Sequence, residues 1–293
     1  MYHGASAPFS LANHTMQWQT TRFLIDLARP QVMGIVNLTP DSFSNLGDRV
    51  CVDLAMTRCA EFIKQGADIL DLGAESTRPG AIPVSLDEEL SRLLPVLEAV
   101  LTLGCPVSVD TYKPEVMAHA LSLGVDIIND INALRSPGAM QQVAAHRSCG
   151  VCLLHMRGEP NSMQSDVGYD GDIVEEVSKF LRERSDALQD LGVSAQRIVL
   201  DPGIGFGKSV EHNIALLRRQ RELLVLGLPL LVGWSRKSTL GAITGRDVTN
   251  RLGASVAAAM AAVLGGARIV RVHDVAATVD ALRVWDAAGL GQR

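Results

Sequence analysis

Long apolar runs are missing from this 293-residue chain. None reaches the roughly 20 residues that a membrane-spanning helix requires. Residues 254–267 (ASVAAAMAAVLGGA) come nearest, but Arg251 and Arg268 bracket them and the stretch reads as a buried helix. The N-terminus has neither a basic region nor an apolar one behind it, so no signal peptide is read. Positive charge is not in excess either: 27 Lys and Arg face 32 Asp and Glu, a net −5, which argues against a general nucleic-acid surface. Cysteine is sparse, five residues and an odd number, which excludes a disulfide framework and fits a reducing cytoplasm. Cys149 and Cys152 are spaced C-x-x-C, but they run into a strand-like segment instead of opening a helix, and no second pair completes a zinc site. They read as ordinary semi-buried thiols.

A phosphate loop is also absent, although "DPGIGFGKS" (201–209) ends like one. The pattern G-x-x-x-x-G-K-[ST] places glycine where this chain has Pro202, which lacks the N–H such a loop aims at phosphate. The spacing of Gly203, Gly205 and Gly207 is not that of a dinucleotide loop, and Asp201 would repel phosphate. The glycines need another explanation.

What is present is a core and a repeat. With 47% hydrophobic residues the chain has ample material to bury. Residues 1–15 are polar and aperiodic and read as a disordered tail, whereas 16–30 alternate weakly and suggest a short hairpin. From residue 16 to residue 291 a single domain is expected. Short Val-, Ile- and Leu-rich runs occur at 32–37, 67–72, 106–110, 125–130, 150–155, 197–201, 229–234 and 269–273, as in fully buried parallel strands. Helical stretches alternate with them at 51–65, 86–103, 113–123, 137–146, 171–191, 210–226, 251–265 and 275–288. Gly66, Gly104, Gly124, Gly192 and Gly227 each close a helix before the next strand. Eight β-α units without a linker indicate an α/β fold, a (β/α)8 TIM barrel, with an open doubly wound sheet as the alternative.

In such a barrel the chemistry gathers at the C-terminal ends of the strands. These ends hold Asn37, Asp71, Gly73, Asp110, Asn129, Asp130, His155 and Asp201, then Trp234 through Lys237, and finally Arg271 and His273. A core would select apolar residues there. Asp130 and Asp274 read as helix N-caps. Asp110, Asn129, Asp201 and Lys237 offer carboxylates, an amide and an ammonium, a set that matches a flat heterocycle edge carrying N–H donors and a carbonyl. Arg271 and His273, two apart on one strand, share a face. With Asn37 they could hold a polyanion and a hard cation such as magnesium.

The chain resembles the dihydropteroate synthase family from about Met16 onward. The resemblance rests on "MGIVNLTPDSFS" (33–44), "DLGAESTRPGA" (71–81), "SVDTYKPEV" (108–116), "IINDI" (127–131), "LLHMRGEPNSMQ" (153–164), "DPGIGFGK" (201–208), "GWSRKS" (233–238) and "RVHDV" (271–275), in order on consecutive strands. It implies condensation of 6-hydroxymethyl-7,8-dihydropterin diphosphate with 4-aminobenzoate, with Mg2+ as cofactor and pyrophosphate released, by a substitution that ionises first. It further implies small-molecule substrates, a cytoplasmic homodimer, and no nucleic-acid or membrane partner.

Carried over position by position, Asp110, Asn129, Asp201, Lys237 and Arg271 look like the pterin pocket. Asn37, Arg271 and His273 resemble the diphosphate residues, with Asn37 also the metal residue. Phe43, Thr77, Arg78, Pro79, Phe206, Lys237 and Ser238 look like the 4-aminobenzoate side. Asp110, Lys237 and Arg78 are the expected catalytic residues. Asp201 then reads a pterin edge, the glycines let the backbone turn beside a flat ligand, and Lys208 is expected to be solvated. Two departures stand out: Asn45-Leu46 where the family usually has Asp-Gly, and Arg157 where glutamine is frequent. A barrel methyltransferase domain that binds methyltetrahydrofolate would keep the Asp and Asn readers but has no use for "TPDSFS", "STRPG" or a diphosphate site. A non-catalytic pterin-binding paralogue would be marked by loss of Lys237, Arg271 or Arg78, and all three are present.

Overall fold

The computed structural model describes residues 16–38, 48–76, 80–158, 163, 167–169 and 171–290. The expected tail at 1–15 lies outside these residues. Two short strands, β1 (Gln17–Gln19) and β2 (Leu24–Asp26), pair antiparallel with Trp18 opposite Ile25, so the expected hairpin is present.

Eight parallel strands follow: β3 (Gln31–Asn37), β4 (Ile69–Gly73), β5 (Val107–Asp110), β6 (Ile127–Asp130), β7 (Gly150–Leu154), β8 (Ile198–Asp201), β9 (Leu231–Val232) and β10 (Ile269–Val272). Their order in space is β8-β7-β6-β5-β4-β3-β10-β9, and a parallel bridge from Leu200 to Leu230 joins the two edges. The result is the (β/α)8 barrel, not the open sheet.

Helices cover the outside: α1 (Asp48–Gln65), α2 (Leu86–Val100), α3 (Pro114–Ser122), α4 (Ala139–Ala145), α5 (Ile173–Asp190), α6 (Val210–Arg218), α7 (Ser238–Thr244), α8 (Leu252–Leu264) and α9 (Val275–Ala287). Their limits follow local chemistry. Ser85 accepts from Glu88 N to start α2, and Asp172 accepts from Val174 N and Glu175 N to start α5. In α5 the buried Val174, Val177, Leu181, Ser185 and Leu188 recur every three or four residues and face the barrel. Gly66, Gly104, Gly124, Gly192 and Gly227 all have φ between 69° and 99°, the left-handed ending expected of them. The stretch read as one helix over 210–226 breaks at Arg219, whose ψ of 14° leaves the α region, and continues as a 3-10 turn over Gln220–Leu226. Arg219 there binds Glu222 and Asp172.

The barrel floor is apolar. Met33, Ile69, Ile127, Cys152, Val199, Leu231 and Ile269 form a cluster with Trp18, Ile25 and Leu27 of the N-terminal segment. Trp18 is fully buried and donates Nε1–H to the carbonyl of Arg197 at 2.9 Å. The hairpin therefore plugs the end of the barrel opposite the strand C-termini. Cys149 and Cys152 are ordinary free thiols, fully buried instead of semi-buried, and burial pushes both upward in pKa.

Candidate active site

Side chains two residues apart on a strand face the same way, so the layer above the apolar floor can be read by adding two. Ile69 leads to Asp71, Ile127 to Asn129, Cys152 to Leu154, Val199 to Asp201, Leu231 to Gly233 and Ile269 to Arg271. Asp110 on β5 pairs in register with Asn129 on β6. On β4, β6, β8 and β10 the interior thus changes from apolar to polar or charged within one step, while Ile35, Leu154 and Gly233 at the same step carry no polar side chain. A cleft at this level is lined by Asp110, Asn129, Asp201, Lys237 and Arg271, with apolar walls from Ile131, Leu154, Ile204 and Phe206. All five residues assigned to the heterocycle are brought together.

Arg271 organises the floor of the cleft. Its Nε donates to Asp71 Oδ2 and its Nη2 to Asp110 Oδ2, both at 2.6 Å. Asp110 Oδ1 and Asn129 Oδ1 are buried yet have no hydrogen-bond partner. A buried acceptor without a donor is costly, so these two atoms are placed for a ligand. Burial pushes Asp110 up to about 7, against the pull of Arg271 and with Asp71 reinforcing the rise. Burial likewise lifts Asp201 to about 6, opposed by the bond from Gly203 N to its Oδ1 at 2.7 Å. Lys237 is brought down to about 8 by burial and then by Arg271, and its Nζ lies 4.3 Å from the centre of the Phe206 ring. The site can accept N–H donors, hold an aromatic face and support charge of both signs.

The glycines of "DPGIGFGK" are accounted for by contact. Gly203 has φ of +69°, and a Cβ there would meet the His155 carbonyl oxygen at 1.9 Å. Gly207 has φ of +63°, and its Cβ would meet the Arg157 carbonyl at 2.5 Å. Lys208 contradicts the expectation that it would be solvated: it is only 3% exposed. The glycine-permitted turn folds carbonyls inward, and the three N–H groups of Lys208 Nζ are shared among the carbonyls of His155 (3.1 Å), Gly203 (2.9 Å) and Phe206 (3.1 Å) and His155 Nδ1 (2.8 Å). Burial draws Lys208 down to about 7, with Asp201 opposing. His155, depressed by burial and then by Lys208, stays neutral, so its Nδ1 is the acceptor and the ring proton sits on Nε2.

The family described as pterin binding enzyme matches residues 33–273. The dihydropteroate synthase of Neisseria meningitidis serogroup B is 50% identical over 286 residues, covering 96% of this chain and 99% of that protein. Among solved structures, Burkholderia cenocepacia dihydropteroate synthase in complex with 7,8-dihydropteroate superposes with a TM-score of 0.85 at 49% identity, covering 94% of this chain and 98% of the other. The Xanthomonas albilineans dihydropteroate synthase with 4-aminobenzoic acid gives a TM-score of 0.87 at 46% identity over the same shares. The chain belongs to the dihydropteroate synthase family.

Of the other positions that resemble dihydropteroate synthase residues, Asn37, His273 and Ser238 are described, and none of the three lines the cleft. Asn37 closes β3 and is partly exposed. His273 follows β10; its backbone N–H donates to Ser235 Oγ at 3.1 Å, and its Nδ1 lies 3.0 Å from the same oxygen. Its ring thus engages the "GWSRK" loop, while Arg271 turns into the barrel. Ser238 is exposed at the first residue of α7. Phe43, Thr77, Arg78 and Pro79 lie outside the described residues, as do Asn45 and Leu46. Arg157 bonds the carbonyl of Gly168 and packs 5.0 Å from the Tyr169 ring.

The expected capping roles are revised. Asp130 does not cap a helix; its carboxylate accepts from Asn132 N and Leu134 N, both at 2.7 Å, and holds the turn after β6. Asp274 occupies the N-cap position of α9 without a capping bond and pairs with Arg236 at 2.6 Å instead. Three further groups received no role from the sequence. Asp71 was visible as a strand-end acid, but its tie to Arg271 spans 200 positions. Lys208 was masked by its polar loop. Lys113 bonds both Glu75 and Glu89, linking the end of β4 to α2 through a buried acid that no local motif announces.

Proposed function

We propose that this chain joins 6-hydroxymethyl-7,8-dihydropterin diphosphate to 4-aminobenzoate, giving 7,8-dihydropteroate and pyrophosphate in folate biosynthesis. The observation that carries this reading is the pair of buried, unpartnered acceptors, Asp110 Oδ1 and Asn129 Oδ1, in the same cleft as Asp201, Lys237 and Arg271. An N–H-rich edge of a flat heterocycle satisfies both acceptors, and Asp201 can take a further pair of N–H groups. Phe206 gives an apolar surface beside it, and Phe43, Thr77, Arg78, Pro79, Lys237 and Ser238 are assigned to the acceptor side by family resemblance.

The pterin methylene–oxygen bond breaks first, and the electron pair leaves with the diphosphate. The resulting methylene cation is delocalised into the ring, where Asp110 lowers its energy by accepting a ring N–H. The neutral aromatic amine then attacks the methylene carbon and sheds its proton afterwards. Arg271 and His273 are assigned to the diphosphate. Among the described residues no group of three or more His, Cys, Asp or Glu is placed to hold a metal ion. The donor available at Asn37 is one neutral amide oxygen, which fits an ion that takes most of its ligands from phosphate and water, as magnesium does. Magnesium held there would neutralise charge on the leaving group. The homodimer expected of the family is supported by the exposed Ile243, Val248 and Leu252, and five free cysteines suit a cytoplasmic setting.

Pyrophosphate release that requires both the pterin diphosphate and 4-aminobenzoate is the expected result. Release with the pterin alone, or transfer of a methyl group from methyltetrahydrofolate, would overturn the assignment. For the order of steps, single-turnover rates at saturating acceptor should depend weakly on amine basicity across ring-substituted anilines. A steep dependence would rule out ionisation before attack.

A further inference from the structure

We propose that Asp71 is a positioning residue that fixes the hydrogen-bond polarity of the cleft; this rests on the pterin reading of the site. Asp71 is fully buried on β4 and is not among the residues that line the cleft. Its effect is exerted through two residues that do. One is Arg271, whose Nε it accepts at 2.6 Å. The other is Asn129, whose Nδ2 lies 3.4 Å from each oxygen of the Asp71 carboxylate.

A carboxamide carries a donor on one side and an acceptor on the other, and the two ends are nearly equal in size. Which end faces the cleft is therefore decided by what stands behind it. With the carboxylate of Asp71 behind, an inward-turned amide oxygen would meet two acceptor oxygens and be repelled. The NH2 group turns inward instead, and Oδ1 is left in the cleft as an acceptor without a protein partner. The same carboxylate fixes Arg271 by its Nε, so that only Nη2 reaches Asp110, and it reaches Oδ2 alone. Asp110 Oδ1 is thereby left unpartnered as well. These two open acceptors belong to residues paired in register across β5 and β6. A single acid behind the wall thus makes both present lone pairs, and selects a ligand edge that donates.

Exchange of the pair separates this role from a general structural one. In Asp71→Asn the amide of Asn129 loses the charge that orients it, and in Asn129→Asp two carboxylates face each other. In the double variant Asp71→Asn/Asn129→Asp the new amide donates to the new acid, which again turns an oxygen to the cleft. Binding of 7,8-dihydropteroate by calorimetry should weaken about thirtyfold or more in each single variant. The double variant should recover to within roughly fivefold of wild type, a strong non-additivity. A double variant that binds as the product of the two single losses, or that does not fold, overturns the proposal. Failure of Asp71→Asn alone to fold, with the double variant folded and binding, supports it. Wild-type protein that does not bind 7,8-dihydropteroate overturns both the pterin reading and this inference, whereas normal wild-type binding with additive losses removes only the role of Asp71.

Discussion

Lys208→Met tests whether the buried ammonium staples the turn that carries Phe206. Of the four acceptors around Nζ, the Gly203 carbonyl keeps a second donor, the Phe206 N–H at 3.1 Å. The His155 and Phe206 carbonyls and His155 Nδ1 lose their bond to Lys208. At about 1 kcal/mol for each acceptor left unmade, the variant should be roughly 3 kcal/mol less stable near pH 7, which lowers Tm by about 6 °C in a chain of this size.

The pH dependence has a definite sign. Lys208 has its pKa lowered from 10.5 to about 7 in the folded protein, chiefly by burial. Between those values the unfolded chain holds a proton that the folded chain has lost, so wild-type stability gains with rising pH through this residue. Below pH 7 both states are protonated and the contribution is flat. The methionine variant lacks this slope, and the neighbours that feel Lys208, His155 and Asp201, titrate below pH 7, outside the window compared. The stability difference between wild type and variant should therefore widen by about 2–3 kcal/mol from pH 7 to pH 9. Urea denaturation of both proteins at pH 6, 7, 8 and 9 measures it. A variant as stable as wild type would refute the staple, and a difference that stays constant with pH would refute the lowered pKa.

Gly150→Ala would place a Cβ 2.9 Å from Trp18 Nε1 and 3.1 Å from the Gln19 carbonyl. It should loosen the barrel plug by about 1–3 kcal/mol in denaturant titrations, and unchanged stability would mean that the hairpin yields without cost. Gly203→Ala meets the His155 carbonyl and needs a positive φ, so pterin binding in calorimetry should fall by more than tenfold; normal binding would show that the turn is not part of the site. Asp201→Ala removes a charge-assisted acceptor and should weaken pterin binding over a hundredfold, about 3 kcal/mol; unchanged affinity would end its role as an edge reader. Turnover should vanish with excess chelator, and Asn37→Ala should raise the magnesium concentration needed for half-maximal rate. A wild-type magnesium dependence in that variant would remove Asn37 from the metal.

Much of this arrangement was legible because a parallel barrel turns sequence order into spatial order. Eight apolar runs alternating with helices predict the ring, and a polar residue at the end of a run predicts a side chain in the cleft. Asp110, Asn129, Asp201 and Arg271 were recoverable on that basis alone. Where the sequence misled, the contact depended on backbone direction or on distant partners. Lys208 follows three glycines in what reads as a surface turn, and only the folded carbonyls reveal that it is enclosed. Asp274 stands where a cap should stand, but Arg236, 38 positions away, competes for its carboxylate. Asp71 is one acid among several strand-end acids, and nothing in its neighbourhood states that it lies behind the cleft wall.

The distribution of charge with depth bears on the proposed chemistry. The carboxylates lie deepest, with Asp71 0%, Asp201 3% and Asp110 8% exposed. The two cations of the cleft are more exposed: the Arg271 side chain is 19% exposed and Lys237 is half-buried. Burial raises both Asp110 and Asp201; Asp71 adds to the rise at Asp110, whereas Lys237, Arg271 and Lys208 oppose it at Asp201. A substrate that separates into a cationic ring and an anionic leaving group meets this gradient in the favourable sense. In the proposed reaction its ring would lie against the acids, and the departing diphosphate would face the basic groups and the magnesium proposed at Asn37. The same gradient would oppose a reaction in which negative charge built up on the ring. Acids enclosed beside more exposed cations would suit charge separation in the substrate, which is the demand that the proposed ionisation before attack makes.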